Sequence, residues 1–310
     1  MSRLDRRDFI AVVAALPVAT AFAGLPGGAA FAQSSGSFKT RPLRPAGEVP
    51  VVGIGTARLY QDPQSEADYA PLRATLARFA ELGGKVIDTA PSYGRAEEVI
   101  GRLVGELGVR DKLYLATKVG ANSLDEGKLQ IEQSFKNLRT DFIDLIAVHN
   151  LRDTANHLAY LRELRDAGRI GAVGITTSFD GQYDEFAATM EREALDCIQV
   201  DYALDNRNAA ERILPLARER DLPAMINLPF GRGRLFSATE GKALPDWATE
   251  IGAESWAQVF LKYIVSHPAR PIAIPGTDSV RYAEDNLGAA RGMLPDAALR
   301  TRMEQFIDGL

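Results

Sequence analysis

The sequence predicts an α/β protein with the fold of a (β/α)8 barrel (TIM barrel), and three observations lead to that prediction. Eight short apolar segments rich in β-branched residues alternate with helical stretches from residue 49 onward. Nearly continuous apolar strands joined by helices indicate a parallel sheet covered on both faces. Eight such units in about 260 residues also match the usual size of this barrel.

The strand candidates follow one another at intervals of 25 to 34 residues, except for a 49-residue interval before the last. They are VVGIGTA (51–57), KVIDTA (85–90), KLYLATK (112–118), FIDLIAVH (142–149), IGAVGITT (170–177), CIQVDYA (197–203), LPAMINLP (222–229) and PIAIPG (271–276). Helical spacing of apolar residues is clear between them, as in 66–82, where Leu72 and Leu76 share one face, and in 154–168. Residues 293–310 predict one more amphipathic helix.

A doubly wound sheet is the alternative arrangement, and it would require a glycine-rich first turn. Gly53 and Gly55 give G-x-G, but Arg58 occupies the place of the third glycine, so that fingerprint is incomplete. The long interval marks an insertion after the seventh strand. In barrels of this kind, the loops after strands 7 and 8 often bind phosphate.

Composition and charge exclude several classes of protein. The 310-residue chain is 46% hydrophobic and 25% charged, with a net charge of −5, which is an ordinary globular balance. The body of the chain has no basic run, so we expect no nucleic-acid partner. Cys197 is the single cysteine, which excludes an intrachain disulfide. Three histidines without a Cys/His cluster make a metal site unexpected.

The first 32 residues have the pattern of a signal peptide. An arginine-bearing front precedes the apolar, uncharged residues 9–23, and Ala30-Phe31-Ala32 forms an A-x-A cleavage pattern. The apolar stretch is shorter than the roughly 20 residues of a membrane span, so we expect a mature form outside the membrane; an uncleaved anchor is the alternative. Residues 33–48 are interpreted as a polar linker, and residues 49–310 as the barrel domain.

The arginine pair in this leader indicates a particular export route. Arg6-Arg7 followed by Asp8-Phe9-Ile10 resembles the twin-arginine (Tat) signal, with Asp5 where serine or threonine is usual. Tat signals belong to bacteria. We therefore expect a bacterial protein that is exported, to the periplasm or beyond, with the Tat machinery as a partner.

Four side chains of complementary chemistry come at or near the ends of successive strand candidates. They are Asp88, Tyr93, Lys118 and His149. Adjacent parallel strands lie ~4.8 Å apart, so these groups can converge at one rim of the barrel. A phenol has a reference pKa of ~10, and a nearby ammonium would lower it by stabilising the anion. This combination predicts a proton-transfer site and therefore an enzyme.

Residues 49–290 resemble the aldo-keto reductase family. The resemblance lies in DTAPSYG (88–94), ATK (116–118), TDFIDLIAVH (140–149) and AQVFLKYIVSHP…IPGT (257–277). It implies NAD(P)H-dependent reduction of a small aldehyde or ketone. In that reaction Tyr93 would be the general acid, Lys118 and Asp88 would tune it, and His149 would orient the carbonyl.

The same resemblance implies a set of cofactor-binding residues. They are Thr176, Thr177, Gln199, Pro229, Phe230, Gly231, Arg232, Gly233, Arg234, Gly276, Thr277, Asp278, Asp285 and Asn286. The two threonines replace the Ser-Asn pair common in the family, and Asn227 stands where many members place an aromatic ring. The basic positions that usually hold the 2′-phosphate are not clearly filled, since Asp278 lies there. We still expect NADPH to be preferred over NADH, but only by a small margin because of these unfilled positions.

Other functions remain compatible with the sequence. A non-catalytic barrel that binds a nucleotide for regulation or interaction is one alternative, and a lyase or hydrolase on a similar barrel is another. The loops bearing Arg58, Leu59 and Tyr60, together with residues 150–152, are expected to set specificity. The sequence does not identify the substrate.

Overall fold

The structure, a computed structural model, describes residues 36–310, so the predicted leader at residues 1–32 lies outside the described residues. The strands are β1 (Thr40–Leu43), β2 (Gly47–Pro50), β3 (Ile54–Gly55), β4 (Val86–Asp88), β5 (Tyr114–Val119), β6 (Ile143–His149), β7 (Ile170–Thr177), β8 (Cys197–Asp201), β9 (Ala224–Asn227) and β10 (Ile272–Ala273). The helices are α1 (Glu66–Glu81), α2 (Ala96–Leu107), α3 (Leu124–Leu138), α4 (Thr154–Asp166), α5 (Tyr183–Arg192), α6 (Ile213–Glu219), α7 (Arg234–Ala238), α8 (Asp246–Glu250), α9 (Trp256–Val265), α10 (Val280–Gly288) and α11 (Ala297–Asp308).

Strands β3 to β10 form one parallel sheet in chain order, and the sheet closes on itself. Isolated parallel bridges join Val52 to Ala273 and Gly55 to Gly276. The Gly53 amide donates to the Ala273 carbonyl at 2.8 Å across the same seam. These contacts confirm the predicted (β/α)8 barrel over the doubly wound sheet. Seven of the eight strands lie within their predicted segments, and β5 extends one residue further, to Val119.

The barrel interior has an apolar and a polar end, because alternate residues of each strand point inward. Buried apolar side chains fill the amino-terminal end, including Val86, Tyr114, Leu145, Cys197 and Met225. Further along the same inward rows come polar residues. In the strand register, His149 lies opposite Thr176, and Thr176 lies opposite Gln199. The polar rows therefore meet at the carboxyl ends of the strands.

The antiparallel hairpin of β1 and β2 covers the amino-terminal end of the barrel. Leu43 and Val49 are buried and belong to the same apolar cluster as the barrel interior. The Tyr114 hydroxyl donates to the Arg44 carbonyl at 2.8 Å. The structure therefore differs from the expected linker over residues 33–48. Burial of Leu43, and of Val49 directly after the stretch, together with hydrogen bonds from Arg41 to the Arg270 carbonyl and from Lys85 to the Glu48 carbonyl, holds its second half against the barrel.

The helices surround the barrel and begin at side chains that accept backbone hydrogen bonds. Ser65, Ser123, Ser255, Ser279 and Asp296 cap α1, α3, α9, α10 and α11 in this way, which satisfies backbone N–H groups at each start. Helices α7 and α8 occupy the predicted insertion between β9 and α9. Across residues 36–310, none of the helices combines the length and apolarity that a membrane crossing needs.

Candidate active site

A cavity of about 560 Å³ opens at the carboxyl ends of the barrel strands. All four predicted catalytic residues, Asp88, Tyr93, Lys118 and His149, line it. Asp88 ends β4, Lys118 comes one residue before the end of β5, and His149 ends β6. The structure thus brings together, on three neighbouring strands and one loop, the groups that the sequence placed at strand ends.

Lys118 is fully buried, and all three of its ammonium hydrogens have acceptors. Its Nζ donates to both carboxylate oxygens of Asp88 and to the carbonyl of Thr89, each at 2.8 Å. Burial alone would lower the pKa of Lys118, but attraction to Asp88 and Tyr93 outweighs it and raises that pKa above the ordinary value. The lysine is therefore a fixed positive charge, and its Nζ lies 5.1 Å from the centroid of the Tyr93 ring.

The pKa of Tyr93 shifts opposite to the sequence-based expectation. Burial raises the pKa of the phenol and outweighs the lowering by Lys118. The Lys118 ammonium stabilises the phenolate, as expected, but the loss of hydration on burial destabilises the phenolate by more. Tyr93 therefore holds its proton at neutral pH, which suits a group that donates a proton during a reaction.

His149 is neutral at physiological pH. Burial lowers its pKa to about 3, and the positive charges of Lys118 and Arg152 act in the same direction. Its ring meets the Tyr93 ring edge-on, with centroids 6.3 Å apart. Gly120 leaves room for it, because a Cβ there would lie 3.2 Å from the His149 Cβ. A neutral imidazole beside the phenol can donate one N–H hydrogen bond to a substrate oxygen.

The two predicted nicotinamide contacts on β7 have different surroundings. Both threonines line the cavity, but Thr176 belongs to the inward-facing row and Thr177 does not. The Thr177 hydroxyl donates to Gln182 Oε1 at 2.5 Å and accepts from the Phe179 amide at 3.2 Å. Thr176 is therefore placed to contact a ligand through its side chain, whereas the Thr177 hydroxyl is already engaged in holding the following loop.

Two buried amide atoms at the next strand ends lack hydrogen-bond partners within residues 36–310. They are Nε2 of Gln199 on β8, a donor, and Oδ1 of Asn227 on β9, an acceptor. Burial raises the pKa of Asp88, against the lowering by Lys118 and a smaller lowering by Gln199, whose Nε2 nevertheless has no partner in hydrogen-bond geometry. Asn227 lines the cavity, whereas Gln199 is not among its lining residues. A carboxamide offers one acceptor and two donors, so the nicotinamide carboxamide has the groups that would complement both open atoms.

The glycine-rich loop after β9 has a backbone suited to close approach by a ligand. Gly231, Arg232 and Gly233 all have positive φ, at 56°, 57° and 93°. A Cβ on Gly231 would lie 2.3 Å from an Asp205 carboxylate oxygen, so any other residue would displace that side chain as well as adopt an unfavourable positive φ. Pro229, Phe230, Arg232 and Gly233 line the cavity.

The two arginines of this loop are not equivalent. Arg234 Nε donates to Asp205 at 2.8 Å, so its charge is already paired. Arg232 makes no ion pair with any residue of 36–310 and faces the cavity. Of the two, Arg232 is the cation available to a phosphate.

The last predicted cofactor segment is largely engaged with the protein itself. Asn286 Nδ2 donates to the Thr277 hydroxyl at 3.0 Å. The Asp285 carboxylate accepts from Ser255 and Gln258, each at 2.8 Å, and so joins α10 to the start of α9. Gly276 lines the cavity. Asp278 does not, although its charge acts on the buried Tyr60.

Several residues line the cavity that the sequence did not single out for a role there. They are Gly55, Ala57, Gln61, Ser178, Leu228, Phe236 and Ile274. Most of them adjoin a recognised motif, so their position in the chain was a usable signal. Phe236 also packs on Phe230, with ring centroids 4.8 Å apart, and gives the cavity an aromatic wall.

Comparisons with known proteins agree with this geometry. The model of the Aldo/keto reductase family matches residues 51–302. An aldo-keto reductase of Bacillus subtilis, YhdN, is 32% identical over 202 residues, an alignment that spans 59% of each chain. The aldo-keto reductase yakc [NADP(+)] of Schizosaccharomyces pombe is 26% identical, over 84% of this chain and 89% of its own. A Klebsiella pneumoniae aldo-keto reductase, crystallised in complex with NADPH, superposes with a TM-score of 0.73 at 25% identity, covering 87% of this chain and 95% of that one.

Proposed function

The chain belongs to the aldo/keto reductase family and is an NAD(P)H-dependent oxidoreductase, and on that premise we propose that it reduces a small aldehyde or ketone to an alcohol with Tyr93 as the proton donor. The observation that carries the proposal is the buried Lys118, held by Asp88 beside the Tyr93 ring. The completed set of proton-transfer groups favours catalysis over the alternative of a non-catalytic nucleotide-binding barrel.

Each side chain has a separate task in this reaction. The reduced nicotinamide, when bound, supplies the hydride that goes to the carbonyl carbon. Tyr93 gives its proton to the carbonyl oxygen, and Lys118 stabilises the phenolate that remains. Neutral His149 donates a hydrogen bond to the same oxygen and so orients the carbonyl. Solvent then returns a proton to Tyr93. A positioned general acid is typically worth ~10²- to 10⁴-fold in rate.

The cofactor we propose is NADPH. Two of the similar proteins carry NADP(+) or NADPH in their names. In this chain, Gln199 and Asn227 would hold the carboxamide, and Arg232 with the backbone of 229–233 would hold the phosphates. Thr176 would add a hydroxyl contact on the nicotinamide side.

The wild-type protein tests this proposal directly. We expect NADPH to be consumed in the presence of an aldehyde panel, with one alcohol formed for each NADPH oxidised. NADH should support lower kcat/KM than NADPH. A purified protein that binds neither nucleotide would overturn the reductase proposal, and a higher kcat/KM with NADH would overturn the cofactor preference alone.

We also propose that the protein is exported by the Tat route. The support is the Arg6-Arg7 motif followed by the apolar residues 9–23 and an A-x-A pattern. Fractionation of a bacterial host should find the full chain's product in the periplasm, and replacing Arg6 and Arg7 together by lysine should retain it in the cytoplasm. Periplasmic product from the double variant would contradict the proposal.

A further inference from the structure

The cavity has more positive charge than the proton-transfer groups require. Its charged lining residues are Arg58, Asp88, Lys118 and Arg232. Asp88 and Lys118 neutralise each other through their paired hydrogen bonds. Two arginines are left, and neither makes an ion pair with any residue of 36–310. The cavity can therefore bind anionic groups at two positions, one at Arg58 and one at Arg232.

The two arginines lie in different parts of the barrel rim. Arg232 belongs to the loop after β9, where the phosphates of the nucleotide are expected. Arg58 belongs to the turn after β3, and β10 lies between those two strands. On its other side, β3 adjoins β4, whose following loop carries Tyr93. Arg58 is thus on the side of the reacting carbonyl.

The turn that carries Arg58 is held firmly. The amide and hydroxyl of Thr56 both donate to the Asp88 carbonyl at 3.0 Å, which fastens the turn to the catalytic strand. The amides of Leu59 and Tyr60 donate back to the Thr56 carbonyl. The fully buried Tyr60 donates its hydroxyl to the Thr277 carbonyl at 3.0 Å.

The position of Arg58 within this turn has a conformational cost. Its φ of 68° lies in the left-handed region, which is uncommon for a residue other than glycine. The turn holds this backbone in place, and the guanidinium nevertheless remains unpaired and exposed at the cavity mouth. A guanidinium presents paired N–H donors that match a carboxylate.

We propose that Arg58 binds a carboxylate on the carbonyl substrate, so the preferred substrates are aldehydes or ketones that carry a carboxylate distant from the carbonyl. This inference rests on the proposed reductase function. We infer this separation from burial, since Arg58 is exposed whereas Lys118, which lines the same cavity, is fully buried. Leu59, Phe230 and Phe236 line the same cavity and would contact the apolar body between the two groups.

The test uses 4-carboxybenzaldehyde and its neutral methyl ester, two aldehydes that differ at one end by a negative charge and one methyl group. The ratio of their kcat/KM values is measured with NADPH for the wild type, Arg58→Gln, Arg58→Lys and Arg139→Gln. Arg139 is a matched control because it is also exposed and also has a positive φ (53°). It directly follows α3 and does not line the cavity.

We expect the wild type to prefer the carboxylate and Arg58→Gln to lose about 10- to 100-fold of that preference, as for a charge-assisted hydrogen bond. Arg58→Lys should keep part of it, and Arg139→Gln should match the wild type. An unchanged ratio in Arg58→Gln would overturn the inference. A rise in the KM for NADPH without a change in ratio would also overturn it, by assigning Arg58 to the cofactor. If the wild type reduces other aldehydes of the panel but neither of these two, the inference fails while the reductase proposal stands; if it binds neither NADPH nor NADH, the reductase proposal itself fails.

Discussion

The two halves of the barrel rim differ in how completely the protein satisfies its own polar groups. On the side of β4, β5 and β6, Lys118 has an acceptor for every ammonium hydrogen and Asp88 has a cation. On the side of β8 and β9, Gln199 Nε2 and Asn227 Oδ1 are buried without partners. In the proton-transfer half the charged groups are paired within the protein, although the Thr89 hydroxyl after β4 is also buried without a partner among residues 36–310. In the nucleotide half, the two open amides are the groups that the proposed nucleotide would pair with.

This difference has an energetic meaning. A buried polar atom without a partner costs about 1–3 kcal/mol. The open atoms at β8 and β9 therefore lower the unfolding free energy of the ligand-free protein. A ligand that pairs with them would bind more tightly by a similar amount. The buried ion pair of Asp88 and Lys118 has no open atom for a ligand to pair with, so we assign it the role of stabilising the Tyr93 phenolate. Substitutions in the two halves should accordingly have different signatures.

The largest effect is expected from Lys118→Met in the proton-transfer half. Removing one partner of a buried pair leaves the Asp88 charge uncompensated, which typically costs 3–5 kcal/mol of stability. Turnover should fall at least about 100-fold, because the Tyr93 phenolate loses its counter-charge. Denaturant unfolding and steady-state kinetics measure both.

The double variant Asp88→Asn/Lys118→Met is the control for this prediction. It removes both charges, so it should be more stable than Lys118→Met while remaining as inactive. A double variant no more stable than the single one would show that the pair itself is not the source of the loss.

A smaller effect is expected in the nucleotide half from Arg232→Gln. This substitution removes the unpaired cation that faces the cavity, so the Kd for NADPH should rise about 10-fold, as for the loss of a charge-assisted hydrogen bond. The matched variant Arg234→Gln removes an arginine already paired with Asp205, and should change the Kd less than about threefold. Fluorescence titration measures both. A larger effect at Arg234 would contradict this division of roles.

A still smaller effect is expected from Gln199→Leu, and it should differ in sign between the ligand-free and the NADPH-bound protein. The change removes an unsatisfied amide from the free protein, so the unfolding free energy without nucleotide should stay level or rise by about 1 kcal/mol. The gain in Tm on adding NADPH should shrink, because the carboxamide loses its donor. Thermal unfolding with and without NADPH measures both. Equal destabilisation in the two conditions would mean that Gln199 already has a partner.

The smallest effect is expected in the pH dependence of reduction. The neutral form of His149 dominates above its pKa of about 3, and the acid form of Tyr93 is lost only above the ordinary phenol pKa of ~10, since burial raises its pKa. Between pH 5 and 9, kcat/KM should therefore vary by less than about twofold from these groups. A fall with an apparent pKa between 6 and 8 would show that Tyr93 ionises more readily in the working enzyme.

The parts of this molecule that local patterns control were predictable from the sequence. Apolar strand segments recur at regular intervals, and the four groups at the cavity lie at or just after strand ends, so both could be placed along the chain. The hairpin of β1 and β2 was missed because only Leu43 and Val49 report its burial within a polar stretch.

The remaining differences depend on tertiary contacts that a motif does not contain. Thr177, Asp285 and Arg234 match cofactor positions, yet each is hydrogen-bonded to another protein side chain. For Asp285 and Arg234 that partner is about 30 residues away in the sequence. Counting alternate residues along β7 would have separated inward-facing Thr176 from Thr177. The pKa direction of Tyr93 depends on how much water the folded cavity removes, which no spacing reveals.

The most direct test of the central claim is a single-turnover measurement of NADPH oxidation in Tyr93→Phe, with Tyr160→Phe on the outer helix α4 as the matched control. The structure predicts that Tyr93→Phe binds NADPH with a Kd close to that of the wild type but loses at least about 100-fold in rate, whereas Tyr160→Phe behaves as the wild type. A Tyr93→Phe variant that oxidises NADPH within tenfold of the wild-type rate would contradict the assignment of Tyr93 as the proton donor.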